Sequence, residues 1–333
     1  MTLSSNELEI ASDQIAGTLL APGQPAKAIE GRSLGQLAWR TLKRDKLAMA
    51  GGIWALILII IAIFANQIVS GYGESPDQLN PNLVDPTILM PLGSMGGISG
   101  SHWLGVTPVN GQDILAQLIF GARTSLEVAG GAVFLALLFG VTLGIVAGFF
   151  RGFADTVISR IMDLLLSFPV LLFSIALLSV ANIIPALSGF LGRFFIISFV
   201  LGFFSFPYIG RIVRGQVLSL REKEFVDAAR SLGASNWRIM SREIMPNLIG
   251  PILVYTTLTI PNFIIGEASL SFLGVGFQPP TVSWGSMLSD AGNYFQVDPE
   301  YLFAPGITLF LAVLAFNLFG DGLRDALDPR SRR

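Results

Sequence analysis

Three carboxylates stand in or beside long apolar runs: Glu127, Asp163 and Glu267. Charge at membrane depth is costly and usually faces a bundle interior or water. Each of these acids could therefore carry a proton or cation, line a polar pathway, or close a structural ion pair. Glu127 lies one helical turn from Arg123, so an i,i+4 pair at the membrane boundary is its simplest account. Asp163 lies close to Arg160, and a structural pair is again favoured. Glu267 has no basic residue near it in sequence, which leaves a polar cavity and the mere end of a span equally open.

Other chemistry is scarce. The chain contains no cysteine, which removes disulfides, thiolate metal sites and cysteine nucleophiles. Its single histidine, His102, is too few for a histidine-built metal centre. The four lysines (Lys27, Lys43, Lys46, Lys223) stand in no GxxxxGK[ST] phosphate loop, and there is no HExxH or GxSxG. No catalytic residue and no metal ligand is assigned.

The elements that must hold these groups are apolar. Of 333 residues, 52% are hydrophobic and 13% charged, against about 25% charged in an average soluble domain. Six runs, 47–69, 125–150, 164–180, 194–210, 248–266 and 302–320, are each about long enough to cross a bilayer as a helix. Between Lys46 and Arg123, and again between Arg242 and Arg324, there is no Lys or Arg. The positive-inside rule then places residues 1–46, the surroundings of Arg151, Arg211 to Arg242 and the tail 321–333 in the cytoplasm, with 70–120 external. Residues 1 to about 30 lack periodicity and are expected to be disordered. Segment 70–120 reads as loops with one short helix near 113–120. Pro169, Pro207 and Pro261 inside spans predict kinks. Gly140, Gly144 and Gly148 form a small-residue ridge for close helix packing.

One charged stretch interrupts this pattern. In "EFVDAARSLGASNWRIMSREIMPN", Phe225, Ala228, Ala229 and Leu232 fall on one helical face. Gly233 reads as a helix stop, Ser235 as an N-cap, and Trp237, Met240 and Ile244 as a second stripe that Pro246 ends. A basic loop alone needs no such helical hairpin, and an apolar face invites docking into a groove of another protein.

"DAARSLGASNWRIMSREIMP" resembles the EAA motif of ABC-transporter permeases, with Asp227 in place of the usual Glu and Ala228, Ala229, Gly233 and Pro246 in register. Together with "EASLSFLGVGFQPPTVSWGSML" and "LAVLAFNLFGDGLRDALDPR", it is similar to the C-type permease of dipeptide/oligopeptide importers, from about His102 to the C-terminus. The resemblance implies an all-α integral membrane fold of the type I ABC importer class. It implies six spans with kinks, both termini cytoplasmic, and a permease core over 121–320 with a coupling hairpin at 221–247.

It also implies partners: a second, unlike permease subunit, two ATPase subunits or domains that bind ATP and Mg, an external substrate-binding protein, a peptide substrate and membrane lipid, but no nucleic acid. The expected ATPase-coupling residues are Glu224, Asp227, Ala228, Ala229, Gly233, Ser235, Trp237, Arg238 and Pro246. Ser205, Asn262 and Glu267 are expected on the pathway. The family's "HxLGTDxxGRD" block reads "HWLGVTPVNGQD" here: Val106-Thr107 replace Thr-Asp and Gln112 replaces Arg. His102, Trp103, Gly111 and Asp113 in this block are expected to meet the binding protein, and the departure puts the substrate or docking partner in doubt. An ion-coupled carrier using Asp163 and Glu267 is the alternative reading.

Overall fold

The structure, a computed structural model, describes residues 39–327 apart from Ser94, Asn182, Pro185, Ala186 and Ser188. The expected N-terminal disorder and residues 328–333 of the tail lie outside the described residues. Among these residues the chain is helical, with only isolated bridges at Val84–Pro91 and Val106–Asp113.

Helix α1 (Lys46–Ile63) breaks at Phe64 and resumes as α2 (Ala65–Tyr72), ending at Gly73 with φ +91°. Helix α3 (Ile114–Phe150) runs for 37 residues, about 55 Å of rise. The short helix expected near 113–120 is its first turns, because Asp113 caps it and no breaker intervenes. Then follow α4 (Gly152–Leu166), α5 (Val170–Ala181), α6 (Phe190–Leu220), α7 (Glu224–Ser231), α8 (Asn236–Phe272), α9 (Trp284–Ala291) and α10 (Pro299–Leu327).

Helices α1, α3, α6, α8 and α10 are long and apolar enough to cross a membrane, and α4 with α5 makes a sixth span only as a pair bent by 80°. The kink expected at Pro169 is thus a full break, and the run 164–180 is divided between the end of α4 and α5. Pro169 disfavours helix at Phe168 and lacks its own donor, and the chain turns there. Pro207 and Pro261, also expected to kink, sit inside the unbroken α6 and α8.

The glycine ridge does what its spacing suggests. A Cβ at Gly140 would meet Ile209 at 2.0 Å, one at Gly144 the Gly210 carbonyl at 2.7 Å, and one at Gly148 the Arg214 carbonyl at 2.8 Å. Helices α3 and α6 therefore pack backbone against backbone and form the spine of the bundle. A larger core joins α1, α3, α8, α9 and α10 around Trp284 and Tyr301, both fully buried.

Candidate functional site

The hairpin hangs from the end of that spine. Val226, Ile239, Ile244 and Leu248 are buried against Phe149, Val213 and Val217 of α3 and α6. Arg151 pairs with Glu222 at 2.7 Å, and the Arg221 guanidinium donates to the Phe149 carbonyl. Arg214 grips Asp155 through two nitrogens, one at 2.7 Å. Movement of the hairpin is thereby tied to the spine rather than to a loose loop.

The turn is built from local rules. Gly233 takes φ +77°, its N–H donates to Arg230, and the Ala234 N–H donates to Ala229, both at 3.0 Å. This is a Schellman stop, which wants a residue without a Cβ at that position. The Ser235 side chain then accepts from the Arg238 N–H at 3.4 Å, opening α8.

On α7, Phe225, Ala228 and Leu232 of the expected apolar face point outward, with Ala229 half-buried, while Val226 is the inward residue. Leu232 is 89% and Trp237 74% exposed. One expectation on this hairpin is corrected. Pro246 does not end the second helix. A π-helical turn over Ile239–Ile244 precedes it, with the Met245 N–H reaching Met240, and this wider turn absorbs the proline so that α8 continues. Glu224, Asp227 and Arg238 are exposed on the hairpin, and Arg230 closes on Asp227 at 3.1 Å.

At the opposite end of the bundle the polar groups are closed on one another. The Asp113 carboxylate is fully buried; it accepts from the Ala116 N–H at 2.7 Å and meets His102 Nδ1 at 2.8 Å and the Tyr72 hydroxyl at 3.1 Å. Burial first, and the Asp113 and Glu74 carboxylates after it, push the Tyr72 hydroxyl up, which keeps it protonated as a donor. Gly111 is buried at φ +64°, where a Cβ would lie 2.3 Å from the Asn80 carbonyl.

His102, Gly111 and Asp113 are therefore the internal frame of this segment rather than a docking surface, because a partner cannot touch buried groups. Trp103 alone of the four is exposed, at 62%. The residues that depart from the family block bond to each other: Thr107 N–H to the Gln112 carbonyl at 2.8 Å, and Gln112 N–H to the Thr107 hydroxyl at 3.1 Å.

The intramembrane acids are held. Arg123 pairs with Glu127 at 2.8 Å as expected. Asp163 takes Arg211 from α6 as its close partner, with Arg160 farther off at 3.9 Å. Glu267 is fully buried and receives the Ser125 hydroxyl at 2.6 Å and the Ser271 hydroxyl at 2.7 Å. Ser125 in turn accepts from the Trp284 N–H at 3.3 Å, and Ser271 from the Phe277 N–H at 3.0 Å. In this conformation Glu267 joins α3, α8 and α9 instead of lining an open wall. Ser205 is half-buried, and Asn262 is exposed on α8 with its amide donating to the Leu258 carbonyl at 3.3 Å. The structure does not bring these three together by any hydrogen bond among the described residues. Sequence reasoning missed Ser125, Ser271 and Trp284; only Ser271, four residues from Glu267, left a legible sign.

A bundle of apolar helices with a rooted amphipathic hairpin exposed at one end has the build of a membrane-embedded protein. Residues 140–333 match the family described as binding-protein-dependent transport system inner membrane component, and residues 33–86 match the N-terminal TM domain of oligopeptide transport permease C. The chain is 40% identical to the dipeptide transport system permease protein DppC of Alkalihalophilus pseudofirmus, over 89% of this chain and 90% of that one. It is 38% identical to the glutathione transport system permease protein GsiD of Pectobacterium atrosepticum, over 88% and 90%. A solved structure of the MetNI methionine ABC transporter in inward-facing conformations matches with a TM-score of 0.52 at 17% identity, covering 65% of this chain and 98% of that chain. That likeness bears out the expected transporter fold. The chain belongs to the family of binding-protein-dependent transport system inner membrane components, and it is a multi-pass protein of the inner membrane.

Proposed function

We propose that this chain forms one half of the translocation pathway of an ATP-driven peptide importer and receives the ATPase stroke through the 224–247 hairpin. Its relatives are named for dipeptide and glutathione transport, which supports short peptides as the substrate class. The other half of the pathway is a second, unlike permease. Two ATPase subunits hold ATP and Mg, and an external protein delivers the peptide. The clusters of Lys and Arg support an orientation with the hairpin, the N-terminal arm 1–46 and the tail 321–333 in the cytoplasm and the 70–120 segment outside.

The observation that carries this reading is the exposed face of Phe225, Ala228, Leu232 and Trp237 on a hairpin whose other face is locked into α3 and α6. Large apolar side chains gathered on one short projection mark an interaction site. Burying a leucine and a tryptophan in a groove contributes about 1.5–3 kcal/mol each, enough to transmit a conformational bias between two states. The absence of native cysteine gives a clean test. Ser235→Cys, crosslinked in native membranes, is expected to capture a Walker-motif ATPase in a nucleotide-dependent way. Clean insertion with no ATPase captured from this or neighbouring positions would return the protein to ion-coupled transport.

A further inference from the structure

We infer that the end opposite the hairpin contains a chamber that receives the amino-terminal part of the transported peptide; this rests on the peptide reading above. The chamber has a volume of about 630 Å³, within the usual range of about 300–1,000 Å³ for small-molecule sites. Asp77 and Gln112 from the segment before α3, Gln117 from its first turn, and Gln278, Asp290 and Asn293 from the segment around α9 line it. No Lys or Arg is among the lining residues. Arg193 reaches the wall from behind, donating to the Gly276 carbonyl and, at 3.4 Å, to Gln278 Oε1.

Two carboxylates therefore face a cavity otherwise walled by neutral amides, hydroxyls and apolar groups. Neither Asp77 nor Asp290 has an ion-pair partner among the described residues; Asp290 only accepts from the Tyr301 hydroxyl at 2.9 Å. Gln117 is 5% exposed; its Nε2 donates to Gln112 Oε1 at 3.1 Å, while its own side-chain oxygen takes no hydrogen bond among the described residues. The complement to such a lining is an ammonium group followed by peptide amides. The walls are preformed, since Glu267 holds Ser271 and through it Phe277, both of which line the chamber. A preformed wall lowers the ordering cost of binding.

An adjoining crevice of about 290 Å³ shares Asp77, Pro280, Thr281 and Val282 and contains Arg123. That guanidinium is already engaged by Glu127 at 2.8 Å, and Glu127 lines the crevice as well. The amino end of the peptide is thus placed in the chamber, with the rest of the peptide leading out along the shared wall.

Thr281→Cys, on the shared wall of a chain with no native cysteine, gives one reactive site. The whole transporter in proteoliposomes is treated with trialanine bearing a maleimide at its carboxyl end, with the amino terminus free or acetylated. The free-amino probe is expected to label about fivefold faster, a preference that collapses in Asp77→Asn/Asp290→Asn. Equal labelling by the two probes overturns the inference. Protection of the thiol by docked binding protein without peptide also overturns it, assigning the chamber to that protein. ATP-driven uptake of trialanine is measured on the same vesicles. Absent uptake defeats the peptide reading and the chamber together, whereas uptake with equal labelling defeats the chamber alone.

Discussion

At the loop end of the bundle two carboxylates are turned inward and enclosed, whereas on the hairpin Leu232 and Trp237 are turned outward. Asp113 gathers His102, Tyr72 and the first turn of α3 around a carboxylate with no exposure, and Glu267 gathers three elements through serine hydroxyls. The hairpin instead satisfies its backbone with a Schellman stop and a serine cap and leaves Leu232 and Trp237 open. The Asp113 and Glu267 networks are thus an internal frame whose failure is a folding failure. The hairpin is locally ordered but leaves apolar surface uncovered, and under the proposed function its failure is a coupling failure.

The largest expected effect lies at the loop end. Asp113→Ala removes the partner of His102, Tyr72 and the Ala116 N–H at once, at a cost of about 3–5 kcal/mol. Thermal unfolding in detergent should show a large drop in Tm. A Tm within a degree of the parent would mean that the buried network is not what holds this segment.

Gly233→Val comes next and separates the two ends. The space around Gly233 is open, with nothing within 4 Å of a built Cβ, but φ is +77°. The strain is therefore conformational, about 1–2 kcal/mol, and falls on the turn. Normal insertion with ATP-driven uptake reduced at least about tenfold is expected; undiminished uptake would remove the hairpin from the coupling path.

Leu232→Ser sharpens the contrast. An exposed substitution of this kind moves stability by no more than about 0.5 kcal/mol, yet it removes apolar area from the docking face. Unchanged Tm with weakened ATPase association, about threefold or more by titration in detergent, is the expected pair of results. A matched fall in Tm would show that Leu232 serves the fold instead.

The smallest effect concerns Asp298, a carboxylate at the start of α10 that is 4% exposed. Burial, and after it the neighbouring Glu300, pushes this carboxyl up. A raised carboxyl binds its proton more readily folded than unfolded. Its ionised form therefore lowers stability at neutral pH, and the penalty fades as pH falls through the raised value. Asp298→Asn should stabilise by less than about 1 kcal/mol at neutral pH, with the gain vanishing in acid. A gain that persists at low pH would point to a cause other than charge.

The parts of the site that were legible in the sequence share a short range. Gly233, Ser235 and the pair Arg123–Glu127 act through neighbours within five residues, so the backbone rules for a stop, a cap and an i,i+4 pair suffice. The glycine ridge was legible as a packing face, but its partner α6 was not. Asp163 was matched with Arg160 from its own helix, while the closer arginine is Arg211, 48 residues away. The outward apolar face of α7 was legible, but the residue that roots the helix was not, for a related reason. Both Phe225 and Val226 are apolar, and only the packing of α3 and α6 beneath the hairpin selects Val226 as the buried one.

The sequence by itself determined that this chain lives in a membrane, roughly where its apolar spans lie, and that a glycine-centred hairpin interrupts them. These follow from composition and from interactions along one segment. The tertiary structure alone decided that Glu267 is pinned by Ser125 from 142 residues away, that Asp113 frames a loop instead of meeting a partner, and that a chamber opens between segments distant in sequence. Burial and electrostatic surroundings belong to positions in space, and only the packed helices bring those positions together.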